Sequence, residues 1–313
     1  MFEIIFEIIF PLVLIGILII IFVKGIFTKA EKRDYMTLDE FIKDWIRDHG
    51  VEHKLEPYFE SMKKNPAGKL YMPITYKWGR FFSKLGVSAN EVSIINLTLS
   101  FLGFYGVIMA ARGHLLNYLT QQPAFGSWFI LLGIIFLIAG IIDGADGAIA
   151  RLENNKSVSG AWFDNNIDRI SDILMLVCLI PGGISIIPDY NYDFRWLVWT
   201  NILLIFIYEY MRARHQGLGL HALQPTIGER ITRILIISTF FFIYGISSFS
   251  VFITYLINPS LTSLWTISHS AIINWVMIIH QIVLLLVMII SVIRTIIFVW
   301  KNLKKMDESE NNN

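Results

Sequence analysis

The stretch "DGADGAIARLENNKSVSGAWFDNNIDRISD", Asp143 to Asp172, sets five aspartates in a chain otherwise rich in Ile, Leu and Phe. Asp143 and Asp146 are three residues apart, and Asp146 and Ala150 four apart, so on a helix they share one face. After the polar turn "LENNKSVSG", Asp164, Asp168 and Asp172 follow at intervals of four and line one face of a second helix. Two neighbouring antiparallel helices can turn such stripes toward each other, gathering a cluster of about four acids.

A cluster of this kind repels itself unless positive charge sits in it, and an all-oxygen ligand set favours hard cations such as Mg2+, Mn2+ or Ca2+. No His or Cys falls in the stretch, which argues against zinc. Gly144, Gly147, Ala148 and Ala150 keep the helix surface low where a bulky phosphorylated ligand could approach. A metal pair beside Arg151 would neutralise a pyrophosphate there. Asp172, one turn further on, is assigned a structural hydrogen bond.

The rest of the chain places this cluster in a membrane. Its 313 residues are 55% hydrophobic and 16% charged, with mean hydropathy +0.57, a membrane-class composition. Seven apolar runs approach the roughly 20 residues that cross a bilayer as a helix. They are approximately Ile8–Phe27, Val92–Ala111, Phe125–Ile142, Phe163–Ile180, Trp196–Tyr210, Ile234–Leu256 and Ile273–Ile297. The first begins with acidic Glu3 and Glu7 and no small-residue cleavage pattern follows it, so it reads as a retained anchor rather than a signal peptide. The single cysteine, Cys178, lies in an apolar run and forms no intrachain disulfide.

Placing Met1 outside puts the Lys29–Lys84 cations on one face of the membrane, together with Arg151, Lys156, Arg169, Arg212, Arg214, Arg230, Arg233, Lys301, Lys304 and Lys305. The other face keeps little besides Arg112 and Arg195, so the aspartate cluster is cytoplasmic by the positive-inside rule. Between the anchor and the next span, "TLDEFIKDWIRDHG" opens with a capping box, Thr37 with Glu40, sets Phe41, Ile42, Trp45 and Ile46 among charges, and stops at Gly50. "YKWGRFFSKLG" suits a helix lying among headgroups or a small soluble hairpin, and Ser88 with Glu91 form a second capping box. Asn96, His280 and Gln281 are read as hydrogen bonds between helices, and the remaining histidines show no metal-ligand spacing.

The expected organisation is an all-α integral-membrane protein. Residues 1–28 are an N-terminal transmembrane anchor and 29–87 a cytoplasmic amphipathic helical segment; 88–300 are a six-helix catalytic membrane domain and 301–313 a disordered cytoplasmic tail. Homodimers are expected only by analogy, and no nucleic-acid partner is expected.

Asp143, Asp146, Gly147, Ala150, Arg151, Gly160, Asp164 and Asp168 match every fixed position of the pattern D-x2-D-G-x2-A-R-x8-G-x3-D-x3-D. The chain thereby resembles the CDP-alcohol phosphatidyltransferase family over about Ser88 to Ile297. The resemblance implies a six-helix core and a transfer in which an alcohol attacks the phosphorus of a CDP-linked lipid donor and CMP leaves. It implies Asp143, Asp146, Asp164 and Asp168 as ligands of Mg2+ or Mn2+, two ions, with Asp168 also the general base. Asp143, Gly147, Ala150, Arg151 and Gly160 would bind CDP.

"DRISD" and "YMRARHQGLG…GERITR" look like the branch that makes phosphatidylinositol phosphate or archaetidylinositol phosphate. That branch binds a phosphorylated acceptor, and Arg212, Arg230, Arg233 and Arg294 are the candidates for its phosphate. Three positions depart from the branch: Gln216 stands for an acid, Glu209 for a small polar residue, and Ala89 for a proline. Glycerol 3-phosphate or serine are the alternative acceptors. A reading of another class, a divalent-cation transporter, needs polar residues continuing across the bilayer, and here the acids stop at one face.

Overall fold

The apolar runs become helices. The computed structural model describes residues 4–28, 34–48, 54–65, 67–112, 124–181, 185–187, 192–219, 226–258, 260 and 266–310. Among them lie ten α-helices: α1 (Phe10–Phe27), α2 (Leu38–Asp48), α3 (Leu55–Met62), α4 (Met72–Lys84), α5 (Ala89–Arg112), α6 (Ala124–Leu152), α7 (Val158–Val177), α8 (Arg195–Gly217), α9 (Arg230–Ile257) and α10 (Thr266–Glu310). Short π-helical turns, Ile5–Ile9 and Ala67–Tyr71, lead into α1 and α4. The all-α expectation holds with one addition, a two-residue antiparallel ribbon of β1 (Ile186–Ile187) and β2 (Tyr192–Asp193) that pairs Ile186 with Asp193.

Five of these helices are long and apolar enough to cross a membrane: Phe10–Phe27, Ala89–Ala110, Gly126–Leu152, Arg230–Thr254 and Trp275–Glu308. The other two expected spans are helical as α7 and α8, but Asp164, Asp168, Arg169 and Asp172 in one, and Glu209, Arg212 and Arg214 in the other, dilute their hydropathy. Exposure nonetheless gives α8 an apolar outward side. Trp196, Trp199, Leu203, Phe206 and Tyr210 are all exposed, and steps of three and four put them on one stripe.

The chain divides into two compact units, Met1–Leu102 with Ile138–Asp172, and Gly103–Leu137 with Ile173–Asn313. The first is built on two apolar clusters. In one, Ile21 of α1, Phe82 of α4, Val92 and Ile95 of α5, and Ile142, Ala145 and Ile149 of α6 pack together. In the other, Phe41, Ile42 and Ile46 of α2 meet Phe59 and Met62 of α3, Met72 of α4 and Ala148 of α6. Both capping boxes form. Thr37 N and Oγ1 donate to Glu40 Oε2 at 2.6 and 2.9 Å, and Ser88 N and Oγ donate to Glu91 Oε2 at 2.9 and 2.8 Å. Glu91 also pairs with Lys24, tying α1 to α5.

Small residues on α6 serve this packing. A Cβ at Gly79 of α4 would stand 2.6 Å from Ala148 Cβ, and one at Gly144 would stand 2.4 Å from Tyr71 Oη, closer than atoms approach. Gly144 and Ala148 therefore make room for the segment before α5, not for a ligand as expected. They are four apart and so belong to one side of α6.

In the second unit, Asn201 Nδ2 of α8 donates to Gln281 O and Oε1 of α10 at 2.9 and 2.8 Å, the interhelical role expected of Gln281. His280 instead reaches its neighbour Gln281 and lies against the Phe240 ring. The expected disordered tail is helical as far as Glu310, with 311–313 outside the described residues. Lys304 sits three and four residues before Asp307 and Glu308, the spacing of supporting ion pairs along a helix. Asn302 Nδ2 also meets His215 Nε2 of α8 at 3.3 Å.

Candidate active site

α6 ends where its sequence runs into Asn154, whose φ of 51° is left-handed. Asn155 N donates to Ala150 O at 2.8 Å and Asn154 N to Arg151 O at 3.1 Å, the paired bonds of a Schellman ending. Ser157 then caps α7, its Oγ accepting from Gly160 N at 3.0 Å. This short turn, residues 153–157, brings α7 back beside α6 and sets the two carboxylate stripes face to face.

Asp143, Asp164 and Asp168, all half-buried, each offer an oxygen within 4.8 Å of the others. Asp143 Oδ1 also accepts from Asn96 Nδ2 of α5 at 3.1 Å. The fourth expected ligand, Asp146, is buried; it accepts from Ser93 Oγ at 2.5 Å and from its neighbour Gly147 N, and its carboxyl reaches that of Asp164. Asp172 is buried and lies 3.5 Å from Arg169 Nη1.

The donor set fits a hard divalent ion. Three carboxylate oxygens within 4.8 Å of one another can share a centre at the roughly 2.0–2.6 Å of Mg2+ or Ca2+ bonds. Two acids in contact, Asp146 and Asp164, are a further arrangement that a cation or a shared proton stabilises.

A cavity of about 240 Å3 opens beside this cluster. Asp146, Gly147, Ala150, Arg151, Gly160 and Asp164 of the sequence pattern line it. The sequence reading missed Asp48, Asn90, Ser93, Asn155, Lys156 and Ser157, which line it as well. The glycines here serve neighbouring side chains: a Cβ at Gly147 would stand 3.0 Å from Arg151 Nη1, and one at Gly160 would stand 2.8 Å from Ser157 Oγ. Arg151 thus lies back along α6, with Nη1 donating to Gly147 O at 2.9 Å.

The candidate acceptor arginines lie in the second unit. Arg212 Nη1 donates to Glu229 Oε2 at 2.6 Å and to Tyr208 Oη at 3.0 Å. Arg233 is 1% exposed and donates to Glu209 Oε1 at 2.9 Å and Gly228 O at 2.8 Å. Glu209, one of the three residues that depart from the branch pattern, is therefore matched by a buried arginine of its own chain. Arg230 is half-buried at the first turn of α9, and Arg294 is exposed on α10.

Similarity to known proteins follows the same residues. Residues 87–306, more than half of the chain, match the CDP-alcohol phosphatidyltransferase family pattern. The chain is 29% identical over 160 residues to an archaetidylinositol phosphate synthase of Pyrococcus horikoshii, covering 51% of this chain and 71% of that one. Over 122 residues it is 30% identical to an archaetidylinositol phosphate synthase of Methanothermobacter thermautotrophicus, covering 38% and 56%. The crystal structure of Mycobacterium tuberculosis phosphatidylinositol phosphate synthase with CDP-DAG bound aligns with TM-score 0.49 at 20% identity, over 73% of this chain and 94% of that one. The chain belongs to the CDP-alcohol phosphatidyltransferase family.

Proposed function

We propose that the enzyme transfers a phosphatidyl-type group from a CDP-linked lipid to inositol phosphate, dependent on divalent metal, at a site open to the cytoplasm. The observation that carries it is the meeting of Asp143, Asp164 and Asp168 beside a cavity lined by the family's glycine, alanine and arginine positions. The acceptor hydroxyl forms a new bond to the donor phosphorus, the bond to the CMP oxygen breaks, and Asp168 accepts the hydroxyl proton. Asp143, Asp146 and Asp164 complete the carboxylate set that would hold two Mg2+ or Mn2+ ions. Bound ions would supply charge stabilisation on the diphosphate and leaving CMP.

Gly147, Ala150, Arg151 and Gly160 bind the nucleotide end of the donor. Arg212, Arg230 and Arg294 are candidates for the acceptor's phosphate, and Arg233 holds Glu209. The choice of inositol phosphate rests on the named relatives and on the loop sequences around Arg212 and Arg230. The cytoplasmic orientation rests on the distribution of Lys and Arg.

The test is CMP release by the purified protein. Labelled CDP-diacylglycerol or CDP-archaeol is supplied with Mg2+ or Mn2+ and, separately, inositol phosphate, glycerol 3-phosphate or serine. Release is expected with inositol phosphate and lost on chelation. No release with any pair would refute the transferase reading, and preference for another acceptor would refute the substrate.

A further inference from the structure

The family match begins at residue 87, yet two groups on the cavity's cations come from before it. Arg151 Nε and Nη2 reach Asp48 Oδ2 of α2 at 3.1 and 3.0 Å. Lys156 Nζ reaches Asp48 Oδ1 at 3.0 Å and Asp44 Oδ2 at 2.5 Å. Asp44 and Asp48 are four apart and share a face of α2. Arg151, Lys156 and Asp48 all line the cavity.

A carboxylate beside a binding-site cation either competes with an anionic ligand or holds the cation in place, and two observations separate these roles. A guanidinium carries five N–H donors and an ammonium three. Arg151 commits two by hydrogen bond, one to Asp48 and one to Gly147 O, with Nη2 in ion-pair contact with Asp48, and Lys156 commits two, so both keep N–H groups for a ligand. The second observation is how α2 is docked. Phe41, Ile42 and Ile46 are buried against α3, α4 and Ala148, so lifting the acids away would expose an apolar cluster as well as break ion pairs. α2 is a fixed wall.

We propose that Asp48, supported by Asp44, is a positioning residue for donor binding. It holds the Arg151 guanidinium and the Lys156 ammonium at the cavity wall, with their remaining N–H groups set to meet the diphosphate of a CDP-linked donor. Holding a flexible cation in its binding geometry before the ligand arrives removes an ordering cost from binding. The inference rests on the CDP-alcohol reading above and adds a residue from outside the region that matches the family.

The test uses the full chain in detergent with Mg2+, CDP as probe in isothermal titration, and CMP release in parallel. Asp48→Asn keeps the shape and removes the charge. It should weaken CDP binding and raise the donor KM by about ten-fold, with kcat and the acceptor KM within about two-fold. Asp48→Glu should recover most of the loss. Asp44→Asn should weaken CDP by about three-fold, because Asp44 grips Lys156 and lies 3.8 Å from Arg151 Nε. If Asp48→Asn fails to fold, Asp44→Asn and Asp48→Glu carry the decision. Tighter CDP binding in the Asn variants would make the acids a competing cover and overturn the inference, as would unchanged binding. A wild-type protein that binds no CDP would instead sink the functional reading itself.

Discussion

The two charged clusters follow opposite plans. Between α6 and α7 acid meets acid, with Asp143, Asp164 and Asp168 within 4.8 Å and Asp146 touching Asp164. In the second unit two arginines each meet a glutamate, Arg212 with Glu229 at 2.6 Å and Arg233 with Glu209 at 2.9 Å. Like charges held together oppose folding and are eased by a counter-charge or a shared proton. Opposite charges matched within the chain spend their attraction on holding helices together. The first plan suits the ion site proposed above; the second marks structure unless a ligand can displace one partner.

The acid cluster should break most completely. Asp168→Asn removes the proposed base and should lower kcat about 10²–10⁴-fold in the CMP-release assay, with CDP binding still measurable. Asp164→Asn should raise the melting temperature in chelator, since it relieves a carboxylate contact, while abolishing the added stability expected of the wild type in Mn2+. A variant that melted lower in chelator and still gained from Mn2+ would remove the cluster as a metal site.

The matched pair should break differently. Arg233→Ala removes the guanidinium paired with buried Glu209, and losing one member of a buried ion pair costs about 3–5 kcal/mol. Replacing both, as Arg233→Met with Glu209→Leu, should cost much less, measured by thermal unfolding in one detergent. Equal losses would mean that packing rather than charge sets the site. Arg212 tests the boundary between the plans. If it can leave Glu229 for a phosphate, Arg212→Ala should raise the KM of a phosphorylated acceptor about ten-fold over that of the donor.

What could be read from sequence alone follows the same physics. Asp143, Asp146, Asp164 and Asp168 were legible because helical spacing of three and four survives in the string of residues, and the long apolar runs became helices for the same reason. Asp48 was not legible, since it meets Arg151 across 103 residues with no local period to announce the pairing. Ser93 was hidden likewise, reaching Asp146 from another helix. Gly144 and Ala148 were seen as space but assigned to a ligand, because a string does not show which face of α6 receives α4. The polar end of α10 read as tail because charge density alone does not reveal that Lys304, Asp307 and Glu308 keep helical register.

The smallest expected effect concerns the start of α2, which holds the wall of the site. Thr37, first through its backbone N–H and then its hydroxyl, keeps Glu40 below the usual glutamate range. The carboxylate form is thus the one that caps the helix. This contribution is present above the ordinary glutamate pKa and is lost as the pH falls through Glu40's lowered value. Thr37→Ala should remove only the hydroxyl's part of it at neutral pH, the residue 37 N–H remaining, and Glu40→Gln should remove its pH dependence while keeping part of the cap. Hydrogen exchange over residues 38–48 reads both, because fraying of the first turn exposes its amides before the buried Phe41 and Ile46 let go. Wild-type exchange at acid pH should therefore approach that of Glu40→Gln at neutral pH after correction for the intrinsic rate. If wild-type exchange does not rise as the pH falls, the cap that helps α2 hold Asp44 and Asp48 in place is made by hydrogen-bond geometry without charge.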